Sequence, residues 1–200
     1  MENILEKVEG AMALQSFIQG IVDFSDSEME VIMAHFKPMS LPSGEYLVDE
    51  GLVCKHIGFI TKGYIRTYYE INEVEVTTIV NTKHNIVTAH TSFTLQRPSM
   101  AYIQAITDSE LLVLDHKSMQ ELYAKIPKWE RLGRLITEGV YGYMEGRVVD
   151  YLSLSPEDRY RKMLEENPKL LKDVPLRYIA SMLGITPETL SRIRNKVHKG

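Results

Sequence analysis

Apolar residues change their spacing twice along the chain, and each change predicts a change of structure. In the first part the spacing is helical: Leu14, Phe17, Ile18, Ile21 and Val22 share one face, as a 3.6-residue period requires. Ser25 and Glu28 read as a capping box. Behind it Met29, Ile32, Met33 and Phe36 give a second helix one apolar face, which Pro38 ends. From Leu41 to about Leu114 short β-branched and aromatic runs take over: EYLVDEG, HIGFI, TKG, YIRTYYEI, VTTIV, SMAYIQAI and ELLVLD. Such runs between turn residues predict strands, and the Gly63 turn predicts a hairpin. Several short strands at this spacing predict an antiparallel barrel or double-sheet roll.

After Lys117 the helical period returns. Ser118 to Ile126 reads as a short helix, and Pro127 opens a longer one as a first-turn proline. Leu132, Ile136, Val140 and Tyr143 form one stripe of it, overlapped by Gly139, Gly142 and Gly146. Each glycine costs roughly 1 kcal/mol of helix propensity relative to alanine. Two readings follow: close backbone approach to another helix, most economically a symmetry mate's, or a kink or break. Ser155-Pro156-Glu157-Asp158 is a further capping box, so a new helix starts there, turns Tyr160, Met163 and Leu164 inward, and stops at Asn167-Pro168. The natural boundary lies near Ser153–Ser155.

Composition narrows the class. Two hundred residues, 44% hydrophobic and 25% charged, suit one large or two small globular domains. No apolar run approaches the ~18 residues of a membrane span, and the N-terminus MENILEKVEG reads as neither a secretory signal nor a transit peptide. Cys54 is alone, which excludes an internal disulfide and a thiolate cluster. A cytosolic protein without membrane contact is expected. The net charge of −4 is unevenly spread: residues 1–155 hold 13 Lys+Arg and 21 Asp+Glu, whereas residues 156–200 hold 10 and 6. A basic module on an acidic body is the asymmetry of a domain that faces a polyanion.

Residues 176–195, LRYIASMLGITPETLSRIRN, carry the chemistry. Ile179 and Ala180 sit mid-way in a first helix that Leu183 closes, and Gly184 supplies the positive φ of a tight interhelical turn. Thr186 is a good N-cap, Pro187 suits the first turn, and Glu188 lies where the helix dipole favours an acid. Leu190, Ile193 and Val197 then point inward, while Glu188, Ser191, Arg192 and Asn195 share the opposite face. Glutamate can accept from cytosine N4 and arginine can bridge guanine O6 and N7. Ser191 can pair with several groups, and Asn195 with a base or a phosphate. Thr186 and Thr189 are counted with this interface, and Arg177, Arg194 and Lys196 are candidate phosphate contacts.

The whole chain resembles the cyclic-AMP receptor / fumarate-nitrate regulator (Crp–Fnr) family of bacterial transcription factors. The strongest local match is Glu188-Thr189-Leu190-Ser191-Arg192, similar to the E-x-x-S-R recognition helix of the fumarate-nitrate branch. The resemblance implies an α+β fold: an N-terminal antiparallel β-roll with its helices (1–126), a dimerisation helix (127–153) and a C-terminal helix-turn-helix (154–200). It implies a homodimer on a palindromic operator with half-sites resembling TTGAT or TGTGA, read by Glu188, Ser191 and Arg192. Dimer contacts would come from Trp129, Leu132, Ile136, Gly139, Val140 and Tyr143, and RNA polymerase would be a further partner. Pro187 departs from the arginine of the cyclic-AMP branch. The link NPKLLKDVP is shorter than the usual β-hairpin, so a reduced wing is expected.

The sensor also departs from the family. The cyclic-nucleotide branch holds its ligand with a Gly-Glu pair and a later Arg-Ser/Thr-Ala. Thr88-Ala89 and Ser99-Met100-Ala101 stand at those positions here, and Arg97 is two places out of register. A buried phosphate without a cation is poorly compensated, so no binding of cyclic AMP is expected. No cofactor is expected, although an unidentified small effector stays open. His35, His56, His84, His90, His116 and His198 lack the H-x-H spacing of a cupin metal site, and no catalytic constellation is present, so an enzyme is not expected. The competing reading is a ligand-binding β-roll whose C-terminal helices serve assembly rather than DNA binding.

Overall fold

Ser25 closes the expected capping box: its N–H donates to Glu28 Oε2 at 2.8 Å, and its Oγ accepts from the Glu28 N–H at 3.3 Å. The box separates α1 (Glu2–Ile21) from α2 (Asp26–His35). Both helices come from a computed structural model that describes residues 2–197; His198 and Lys199 lie outside the described residues. Leu14, Ile18, Met29 and Ile32 bury the inner faces of α1 and α2 against Phe59, Leu122 and Trp129.

The strand region is β1 (Lys37–Leu41), β2 (Tyr46–Val48), β3 (His56–Lys62), β4 (Ile65–Ile71), β5 (Val74–Asn81) and β6 (Ile86–Val87), then α3 (His90–Leu95), β7 (Tyr102–Ala105) and β8 (Ser109–Asp115). Among the described residues they form two four-stranded sheets, in the orders β1-β8-β3-β6 and β2-β7-β4-β5. Inward positions alternate along β7 and along β8 as far as Val113, after which buried Leu114 joins the core of α1 and α2. Ile60, Ile65, Ile103 and Leu111 fill the space between the sheets.

Three expectations are corrected here. The runs on either side of Gly63 do not pair, because β3 and β4 lie in different sheets. Gly63 instead turns a corner: its φ is +95°, and a Cβ there would lie 2.2 Å from Ser109 Oγ and 2.8 Å from the Asp108 carbonyl oxygen. The hairpin is β4–β5, turned by Asn72 and Glu73 at φ 52° and 64°, the signs a two-residue type I′ turn needs. Second, Pro38 does not merely end a helix but lies within β1, an edge strand, where its missing N–H is tolerated. Third, the stretch from Leu41 to Leu114 is not strands and turns throughout: a short helix, α3, stands at His90–Leu95.

Helix α4 (His116–Lys125) is capped by Asp115, whose carboxylate accepts the Ser118 N–H at 2.8 Å. That bond holds the Asp115 carboxyl below the usual carboxylate range. Helix α5 (Pro127–Ser153) runs through Gly139, Gly142 and Gly146 without the break that those residues allow. A Cβ at any of the three would meet nothing within 4 Å.

The chain packs as two units, residues 1–67 with 80–137 and residues 68–79 with 138–200. The second holds the end of α5 and then α6 (Pro156–Glu166), α7 (Pro168–Asp173), α8 (Leu176–Leu183) and α9 (Pro187–Val197). Tyr160, Leu170, Ile179, Ala180, Leu183 and Leu190 are its buried centre. Full burial of each large side chain contributes about 1.5–3 kcal/mol. No strand follows β8 among the described residues, and α7 occupies the NPKLLKDVP link, so the wing hairpin is missing there.

Candidate nucleic-acid interface

The turn between α8 and α9 is built as its glycine predicts. Gly184 has φ 67° and ψ 34°. Its N–H donates to the Ser181 carbonyl, and the Ile185 N–H reaches back to the Ala180 carbonyl, each at 3.0 Å. That is the closure of a Schellman motif. It leaves the carbonyls of Met182 and Leu183 to be satisfied from elsewhere. Met182 O accepts from Arg147 Nη2 at 3.3 Å and from the Tyr151 hydroxyl. Leu183 O accepts from Arg159 Nη2 at 3.0 Å, and the same guanidinium lies 4.7 Å from the centre of the Tyr151 ring. Arg147 also donates to the Thr78 carbonyl, and the Thr77 N–H donates to Ser181 Oγ at 2.8 Å. Local sequence carries no signal for these anchors, because the partners lie 24 to 104 positions apart.

Helix α9 presents the predicted face. The Thr189 N–H donates to Thr186 Oγ1 at 3.3 Å, so Thr186 is the N-cap. Glu188, Ser191, Arg192 and Asn195 are all exposed, while Leu190 is buried and Ile193 and Val197 are half-buried. The Glu188 carboxyl is held below its usual range by its own backbone N–H and then by the Thr186 hydroxyl, so at neutral pH it can only accept hydrogen bonds. Arg192 Nη2 donates to Thr189 Oγ1 at 3.1 Å. Exposed Arg177 lies 4.8 Å from the centre of the Tyr178 ring and donates to its hydroxyl at 2.9 Å. Lys196 is held by Glu157 at 2.6 Å. Arg194 is half-buried, four residues after buried Leu190 and on the same side of the helix.

The six residues read as dimer contacts divide. Trp129 and Leu132 are 5% and 2% exposed, within the core formed with α1 and α2. Ile136 is half-buried against that core. Trp129 and Leu132 are therefore core side chains, and the stripe read from Leu132 to Tyr143 is not one continuous surface. From Glu138 onward the helix emerges: Gly139 is exposed, and Val140 and Tyr143 are each 54% exposed. Tyr141, Met144, Val148, Val149 and Leu152 are exposed with them.

In the roll, Thr88 Oγ1 donates to the His56 carbonyl at 3.0 Å, and Ser99 Oγ donates to the Ala101 carbonyl at 2.7 Å. Cys54 is buried, with Sγ 3.3 Å from the same His56 carbonyl. Met100 is 76% exposed and Arg97 is exposed. Among the described residues no group of three or more His, Cys, Asp or Glu side chains is placed to hold a metal ion. None of the described helices is long and apolar enough to cross a membrane.

Residues 38–125 match the cyclic nucleotide-binding domain family. Solved structures cover more of the chain. FixK2 from Bradyrhizobium japonicum is similar at 16% identity and a TM-score of 0.71, over 82% of this chain and 85% of that one. A transcriptional regulator assigned to the Crp/Fnr family, from Eubacterium rectale, is similar at 15% and 0.68, over 88% and 84%. The c-di-GMP-responsive global regulator CLP of Xanthomonas campestris gives 15% and 0.66, over 88% and 92%. The chain shares the fold of these structures. At these identities the likeness is one of architecture. No curated protein matches the chain by sequence. The match to the cyclic nucleotide-binding domain family starts at Pro38, inside β1, and ends with α4.

Proposed function

We propose that this protein is a sequence-specific DNA-binding transcription regulator that acts as a homodimer on a palindromic operator. The exposed, correctly capped face of α9 carries the reading: Glu188, Ser191, Arg192 and Asn195 stand together in solvent behind the Thr186 cap. A recognition helix reads base edges with its first turns, and this face offers one acceptor, one bidentate donor and two adaptable groups. The exposed apolar part of α5 supports the dimer. Two recognition helices about one DNA turn (~34 Å) apart would supply affinity and operator symmetry together.

The roll works without cyclic AMP in this reading. Ser99 spends its hydroxyl on its own turn, Arg97 is exposed, and no acid stands at Thr88-Ala89. Calorimetric titration with cyclic AMP is expected to give no heat, and micromolar affinity would overturn the point. The function itself is tested by selecting binding sites from a randomised duplex pool with wild type and Arg192→Ala in parallel. A two-fold-symmetric motif that blurs in the variant is expected. Binding insensitive to both salt and sequence would instead leave a ligand-binding roll whose C-terminal helices serve assembly.

A further inference from the structure

Lys196 is the one cation of α9 with a carboxylate partner among the described residues. Its Nζ lies 2.6 Å from Glu157 Oε2, and Glu157 Oε1 accepts from Arg161 Nη2 at 2.9 Å. Glu157 stands in the first turn of α6, next to Pro156 and the Ser155 cap. Arg192, by contrast, is bonded to a neutral hydroxyl. Lys196 follows Asn195 and lies four residues after Arg192, so it flanks the exposed face of α9 on the side of Thr189.

We propose that Glu157 sets the strength with which this interface grips a DNA backbone, by holding Lys196 in an ion pair that a phosphate must displace. The inference rests on the DNA-binding reading above. A carboxylate oxygen at 2.6 Å from the ammonium takes the place that a phosphate oxygen would take. When Lys196 leaves for a phosphate, Glu157 loses one of its two cations and takes up another from solution. That uptake offsets the counterion the DNA releases. Wild type therefore gains less from this lysine than a free lysine would give, and its binding depends less on salt. An ion pair this exposed contributes little to folding, so Glu157→Gln keeps the fold.

The test is fluorescence anisotropy of the full chain on a labelled duplex carrying the selected palindrome, from ~50 to ~300 mM salt. Wild type, Glu157→Gln, Lys196→Gln and the double variant are compared, with thermal midpoints as a check on folding. Glu157→Gln is expected to bind about tenfold more tightly per half-site at the lowest salt, with the log–log salt slope steeper by about 0.9 per subunit. Lys196→Gln alone should weaken binding by less than Glu157→Gln strengthens it, and in the double variant it should abolish the gain. Weaker binding by Glu157→Gln at an unchanged slope would overturn the proposal and leave Glu157 as a strut between α6 and α9. No change in either quantity would overturn it too. If wild type binds neither the palindrome nor a random duplex at any salt, the DNA-binding reading itself falls, an outcome distinct from the other two.

Discussion

The Tyr151 ring closes the space beside Gly184: a Cβ on that glycine would lie 2.9 Å from Tyr151 Cε1. The hydroxyl of the same ring donates to the Met182 carbonyl, two residues before the glycine. One side chain of α5 thus both caps α8 and limits the turn to a residue without a Cβ. Gly184→Ala meets two obstacles, a φ of +67° and this ring. It should destabilise the unit by about 1–3 kcal/mol. Tyr151→Phe should cost about 0.5–1.5 kcal/mol, since Arg147 still serves the carbonyl. Urea denaturation measures both, and an equal loss for the two variants would refute the double role of the ring.

Gly63 and Gly44 separate backbone strain from crowding. Both have strongly positive φ, +95° and +88°, but only Gly63 is walled in, by Ser109 and the Asp108 carbonyl. Gly44→Ala should cost about 1 kcal/mol for the left-handed backbone alone. Gly63→Ala should cost about 3 kcal/mol or more, because backbone must shift at the corner between the sheets. The difference in urea midpoint checks the contrast.

Arg192→Ala should weaken binding to the selected operator by about 1–3 kcal/mol per half-site and relax preference at one base pair. A competition assay over all four bases at each half-site position checks it. Equal loss on every sequence would make Arg192 a phosphate contact.

Val140→Asp and Trp129→Ala should fail differently. Val140 is exposed on the free part of α5, so a charge there should leave the chain folded and shift sedimentation from dimer to monomer. Trp129 is buried with Phe24 and Phe36 around it, so its truncation should cost about 3–5 kcal/mol of stability.

His56 gives the roll a pH dependence. Burial, its largest influence, lowers the imidazole pKa from the usual value near 6.5, although Asp115 opposes the shift. The unfolded chain therefore binds a proton more readily than the folded one, and the stability that neutral His56 confers is present above the unfolded pKa. It is lost as the pH falls through the lowered folded value. Denaturant midpoints at pH 7.5 and 5.5, both order-of-magnitude choices about the ~6.5 reference, should drop for wild type. The drop should be smaller in His56→Gln, and an identical drop would remove His56 from the account.

Much of this was legible in the residues because its causes are local. Ser25 with Glu28, Ser155 with Asp158, and Thr186 with Thr189 meet within one helical turn. The αL turn at Gly184 and the exposed quartet of α9 follow from one glycine and one period. The Gly63 hairpin failed for the opposite reason: a glycine announces a change of direction, but which strands then pair depends on residues far along the chain. Strands β2 and β4 both find β7 beside them, and β1 and β3 both flank β8.

The same division holds for α5. Apolar period alone made Leu132 through Tyr143 one stripe, because a helix repeats its face wherever it goes. Only packing decided that Trp129 and Leu132 are core while Val140 and Tyr143 are exposed. Likewise the exposed polar face of α9 was written in one short run of residues, whereas the anchors of the α8–α9 turn, Arg147, Tyr151 and Arg159, were not. A carbonyl left over at a helix end takes whichever donor the fold brings within 3 Å or so. Sequence alone therefore determined the local elements and the exposed polar face of α9; tertiary structure decided which partners satisfy them, since those partners are neighbours in space and not along the chain.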